Sequence, residues 1–269
     1  NGQGLTRSGK FEEVTNYDAS MAGMPGYDDL GFADQANLDA QQLAIGAFRF
    51  SRPEDVHTNP ENGRQVVLAS TGRDKLFPED SWGTTYVIDF KINRGRIRNG
   101  NIEADITILY DGDAANNPDL GIRSPDNLVW ADDGYIYIQE DRSIGGFGKN
   151  GGGETDFWQL DPETGKAGTV ARVDRLAVPT LQVDTDPTDL GDWETSGIID
   201  VTDEFNAKGE RLLFFNVQAH SLRGDTIDSL TLEQGGQFAF LSKPEAEADD
   251  DDDDKGYKGK KSKKHKDDD

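Results

Sequence analysis

Three stretches of the chain repeat one pattern: an acidic residue opens an apolar run, a tight turn follows, and a second apolar run closes on polar residues. Arg52-Pro53-Glu54-Asp55-Val56 leads through Asn62-Gly63 to Val66-Val67-Leu68. Ser124-Pro125-Asp126-Asn127-Leu128 leads through Asp133-Gly134 to Ile136-Tyr137-Ile138. A looser copy runs from Trp193-Glu194-Thr195-Ser196-Gly197-Ile198-Ile199 through Lys208-Gly209 to Leu212-Leu213-Phe214-Phe215. Glu54, Asp126 and Glu194 fall 72 and 68 residues apart. A regular repeat means that each copy is one unit that buries its apolar face against its neighbours.

Asn-Gly and Asp-Gly between apolar runs are the turn residues of two-stranded hairpins, because they tolerate the positive φ such turns demand. Further strands fill the spacing: Thr84 to Phe90 with Ile102 to Tyr110, and Asp156 to Leu160 with Ala167 to Val173, the latter two joined by an Asp-Pro-Glu-Thr-Gly turn. Four strands per repeat make one blade of a β-propeller, so the expected fold is all-β. Only Asp34 to Ala47 reads as helical, with Asp34 as its N-cap. Residues 1–45 form an N-terminal extension or partial blade, 46–244 the blades, and 245–269 a disordered charged tail with six consecutive aspartates followed by a Lys-rich stretch.

Hairpin geometry makes a functional prediction. The start of the first strand and the end of the second share one edge, so Glu54 should lie near Ser70 and Thr71, Asp126 near Glu140 and Asp141, and Glu194 near Gln218 and His220. In a propeller these edges meet at one mouth of the central channel. Carboxylates gathered there repel one another unless protonated, solvated or neutralised by cations, and hard oxygen donors suit calcium.

Composition narrows the classes. Acidic residues outnumber basic ones 52 to 28, a charge that repels nucleic acid. The tail accounts for 11 acidic and 7 basic residues, so the excess belongs to the body, as a solvating surface, as cation ligands, or as both. With 34% hydrophobic residues, no stretch reaches the roughly 20 apolar positions of a membrane-spanning helix. There is no cysteine, hence no thiolate chemistry from this chain.

Phe50-x-Arg52-Pro53-Glu54-Asp55, Ser124-Pro125-Asp126-Asn127-Leu128, Glu194-x-Ser196-Gly197 and Val217-Gln218-Ala219-His220, in that order, resemble the PhoX-type alkaline phosphatases over about Gly46 to Leu241. The resemblance implies a secreted or periplasmic six-bladed propeller whose mouth carries calcium and iron ions and hydrolyses phosphate monoesters. It implies Glu54 and Glu194 as metal ligands, Asp126 and Asn127 near or in the same shell, and Arg52 facing phosphate or bracing Glu54. Glu140 and Asp141 join this set as ligands from the closing edge. His220 reads as a general acid or metal ligand, with a hydrogen-bonded structural role as the other reading. The family's iron site uses a cysteine from a region upstream of these motifs, and this chain has none. Three units do not close a six-bladed ring, so another chain or a further segment is expected to complete it, unless the chain is a degenerate relative that keeps the scaffold. The competing reading is a non-catalytic calcium-binding propeller acting as an extracellular surface or matrix protein.

Other motifs are weaker. Asp184-x-Asp186-x-x-Asp189-x-x-Asp192-x-Glu194 reads as a calcium loop or a solvated turn, and Asp111-Gly112-Asp113 with Asn116, Asn117 and Asp119 as a poorer version of the same. Gly145-Gly146-x-Gly148 and Gly151-Gly152-Gly153 lack the Gly-Lys-Ser/Thr ending of a phosphate loop and read as a mobile loop near the mouth. His57 and His265 are lesser site candidates.

Overall fold

In the computed structural model, which describes residues 2–75, 77–92, 102–207 and 209–244, each repeat becomes an antiparallel sheet. The tail over 245–269, with His265, lies outside the described residues. The N-terminal extension supplies β1 (Thr6–Lys10) and α1 (Gln35–Ile45). Sheet 1 is the meander β2 (Pro53–Thr58), β3 (Gln65–Ser70), β4 (Thr84–Phe90) and β5 (Glu103–Asp111), with β1 paired to the outside of β5. Sheet 2 is the meander β6 (Pro125–Trp130), β7 (Ile136–Glu140), β8 (Asp156–Leu160) and β9 (Ala167–Arg172). After the short β10 (Gln182–Asp184), sheet 3 is built from β11 (Trp193–Asp200), β12 (Glu210–Ala219) and β14 (Gly235–Pro244). Between its last two strands come β13 (Leu222–Gly224), which pairs with β10, and the single turn α2 (Asp225–Ser229).

The sheets stand side by side as propeller blades do, with β6 packed between β2 and β11. Among the described residues they do not close a ring. Alternation in β7 shows how two neighbours share one sheet: Ile136 and Ile138 join Val67, Val87 and Leu128 between sheets 1 and 2. Tyr137, on the other face, joins Phe157, Ile198, Leu213 and Phe215 between sheets 2 and 3. All five residues of β7 are buried, its apolar start Ile136-Tyr137-Ile138 serving both faces and its end Gln139-Glu140 buried as polar side chains. The outer face of sheet 1 is covered by the chain itself, Phe48 and Phe50 each lying edge-on to Tyr86.

The first two hairpins have the expected register, Pro53 opposite Ser70 and Pro125 opposite Glu140. The third keeps it too, Glu194 opposite Gln218, but β11 and β12 are not joined by a two-residue turn, and sheet 3 has three strands among the described residues. The helix forms where the cap and glycine place it. Asp34 accepts from the Asn37 amide at 2.8 Å, and Gly46 ends it with φ of 65°.

Candidate functional site

The inner strands β2 and β6 begin with the same backbone device. Arg52 and Ser124, each preceding a proline, have φ of 61° and 45°, a left-handed conformation that pre-proline residues with a side chain avoid. Each is held there by its carbonyl, which accepts from Thr71 N at 2.9 Å in the first repeat and from Asp141 N at 3.0 Å in the second. Immediately afterwards the ladder is interrupted, between Pro53 and Val56 and between Pro125 and Leu128. Glu54 and Asp126 fall within these bulges, which re-aim a side chain out of the regular pleat. In β11 the interruption comes later, between Ser196 and Ile199, and Glu194 stands on regular ladder opposite Gln218.

Four acidic side chains from the three sheets feel one another at this edge. Arg52 Nη2 lies 2.9 Å from Glu54 and 3.6 Å from Asp141. Asp126 is pushed up to about 7, first by burial and then by the charges of Asp141 and Glu54, against the partial relief of Arg52. Glu194 is driven well above the usual carboxylate range by burial, by its hydrogen bond to Asp141, and by the charges of Asp141, Asp126 and Asp192. Its Oε1 also lies 3.2 Å from His220 Nε2, while His220 Nδ1 bonds to Gln234. Protonation is how this chain alone relieves the crowding.

Two expected ligands are engaged elsewhere. Glu140 is fully buried and accepts five donors: the Arg123 amide, Nε and Nη2, the Asp156 amide and the Trp158 indole, between 2.7 and 3.2 Å. Its oxygens point back between the strands, since the pleat turns consecutive residues to opposite sides, and the neighbour Asp141 takes the edge. Asn127 Oδ1 accepts from Ser196 Oγ at 2.6 Å and Gly197 N at 2.7 Å, tying β6 to β11.

The secondary candidates are largely satisfied by protein groups, Asp192 Oδ2 excepted, which is buried without a hydrogen bond and lies 4.0 Å from Arg175. In the Asp-rich loop, Arg175 bonds Asp184 and the carbonyls of Asp186 and Asp189, and Arg142 pairs with Asp189. Asp113 accepts from the amides of Ser81 and Trp82, and Asp111 from that of Asp113. The glycine loop does cradle an anion, but the anion is Asp119, which accepts from Gly148 N, Asn150 N and Gly152 N at 2.6 to 3.0 Å. At Gly152 a Cβ would sit 2.1 Å from the Asp119 carbonyl, so only glycine fits. His57 accepts from the Trp130 amide at 3.3 Å, a link between sheets.

The donor chemistry of the mouth fits a hard cation: all oxygen, partly buried, and short of positive charge. The arrangement is not closed, because among the described residues no three His, Asp or Glu side chains converge as a ligand set. Arg142 and Asp192 also border the site, Asp192 through its charge on Glu194 and Arg142 through the charges of Asp189, Asp192 and Asp141. The position of Arg142 next to Asp141 was a signal for it.

No protein-family model and no curated protein matches the chain. Among solved structures, it is similar to "Pseudomonas fluorescens PhoX in complex with vanadate, a transition state analogue", at 18% identity and a TM-score of 0.48. The similarity covers 89% of this chain and 41% of that one, so the chain spans less than half of its length. Among the described residues no helix is long and apolar enough to cross a membrane.

Proposed function

We propose that this chain supplies part of a PhoX-like, calcium-dependent phosphomonoesterase acting outside the cytoplasm, with Glu54, Asp126, Asp141 and Glu194 holding the cation at the blade edge. The observation that carries this reading is the mutual repulsion of carboxylates contributed by three separate sheets. Side chains that must take up protons to coexist are relieved better by a divalent ion. A bound cation would neutralise phosphate oxygens and lower the pKa of an attacking oxygen. Glu54 orients Arg52, whose guanidinium stands at the mouth beside Glu54 and Asp141 and suits a phosphate oxygen. His220, held through Nδ1 by Gln234, presents Nε2 to Glu194 and is positioned to move a proton at the edge. Asn127 and Glu140 hold the strands that carry these groups.

The test is hydrolysis of p-nitrophenyl phosphate with and without a calcium chelator. Activity abolished by chelator, restored by calcium, and lost in Glu54→Gln with an unchanged circular dichroism spectrum is the expected result. A second reading, a calcium-binding propeller without catalysis, is favoured by the lack of a converged ligand set among the described residues. Calcium binding without turnover in the intact protein selects it. Turnover that persists in chelator counts against both.

A further inference from the structure

Between sheets 2 and 3 lies a partly open cavity of about 220 Å³, lined mainly by apolar side chains such as Phe157, Trp193, Phe215 and Leu222, with Arg172 and Asp174 also on its wall. The pleat of β11 turns Trp193 and Thr195 toward this cavity and Glu194 to the opposite face, which separates it from the acidic mouth. One buried polar side chain on its wall has no bonding partner among the described residues. Thr195, which lines the cavity, is 6% exposed, and its Oγ1 bonds nothing among the described residues.

Buried donors and acceptors without partners are costly, and so is an unfilled apolar space, whose walls lose contacts on one side. Both costs fall on one place, and a single kind of molecule removes both. An apolar cavity of about 150 Å³ already admits benzene, so this one holds a larger body, on the order of eight to ten heavy atoms. We propose that the cavity binds a small apolar alcohol, its hydrocarbon against Phe157, Trp193 and Phe215 and its hydroxyl bonded to Thr195. A hydroxyl both donates and accepts, which matches the threonine hydroxyl that lacks a partner.

Octan-1-ol is the probe, titrated into the intact protein and followed by tryptophan emission, to which Trp193 contributes from the cavity wall, and by Tm. Expected are a saturable change in emission, a rise in Tm, and a five- to tenfold weaker affinity in Thr195→Val, whose shape is nearly unchanged. Ala239→Phe, placing a ring in the cavity, is expected to keep the circular dichroism spectrum and Tm and abolish the titration. A linear, non-saturating response in the wild type means the space holds solvent only and overturns the proposal. Equal affinity in wild type and Thr195→Val overturns the polar anchor, and binding undiminished in Ala239→Phe overturns the site.

Discussion

Asp126 shows how a single residue reports on the mouth. Its carboxyl, near 4 in an unfolded chain, is raised to about 7 by burial and by Asp141 and Glu54. Between those two values the folded protein keeps a proton that the unfolded chain has released, so stability falls as pH climbs through that window and stays lower above it. Asp126→Asn has no such proton to lose. In buffer free of divalent ions it is expected to match the wild type near pH 4 and to exceed it at pH 8 by about 2 kcal/mol, after allowance for solvent screening, in urea denaturation. Equal stability at pH 8 would show that the carboxylates do not crowd. Glu140→Gln removes the nearest of three carboxylates around buried Arg123, leaving Asp119 and Asp156 at 3.3 and 3.4 Å, and is expected to cost about 1.5 to 3 kcal/mol at pH 7, with calcium affinity per folded molecule unchanged. Glu140 and Asp141 were equally prominent as sequence. Only the pleat separates them, sending Asp141 to the edge and Glu140 between the strands, and hairpin register known to within one residue does not resolve that difference.

The inner strands are joined by a device that repeats with the hairpins. Asp55, following Glu54, accepts from Leu128 N at 2.9 Å, and Asn127, following Asp126, accepts from Gly197 N at 2.7 Å. Each sheet thus secures the irregular backbone at the start of the next inner strand, where a bulge frees an amide that the ladder no longer pairs. Asn127→Ala leaves the Gly197 amide and Ser196 hydroxyl without this acceptor and is expected to lower stability by about 1 to 3 kcal/mol in urea denaturation. Asn127→Asp keeps the oxygen and recovers most of the loss near pH 4, while at pH 8 it adds a charge beside Asp126 and loses stability again. If alanine were silent, the bond would be incidental to blade packing. The hairpins themselves were readable because Asn62-Gly63 and Asp133-Gly134 state a local rule, and the helix because Asp34 and Gly46 do. The bulges were not, since they depend on Ser51 to Arg52 and Ser124 meeting Gly72, Thr71 and Asp141 across the sheet. The arginines that pair with Asp184 and Asp189 of the Asp-rich loop, Arg175 and Arg142, come from other parts of the chain and so are not visible in the loop's own spacing.

For the molecule as a whole, the body carries 41 acidic and 21 basic residues, so compaction works against self-repulsion. Two kinds of cation effect can offset that, and they are separable. Sodium screens the surface at large, whereas an ion bridging Glu54, Asp126, Asp141 and Glu194 binds only the state in which three sheets are assembled. By linkage, calcium at a hundredfold excess over its Kd contributes about 2.7 kcal/mol. In a domain of this size that is a rise in Tm on the order of 5 to 10 °C. The expected result is that millimolar calcium raises Tm by that amount, that sodium chloride at equal ionic strength raises it by less than half as much, and that Glu54→Gln combined with Glu194→Gln reduces the calcium response to the sodium level. The variant also separates site from surface, because it removes two charges of 52 and leaves the general screening nearly intact. A calcium response in the wild type no greater than that of sodium would mean that the edge carboxylates are merely crowded, with protons and Arg52 as their counter-charge.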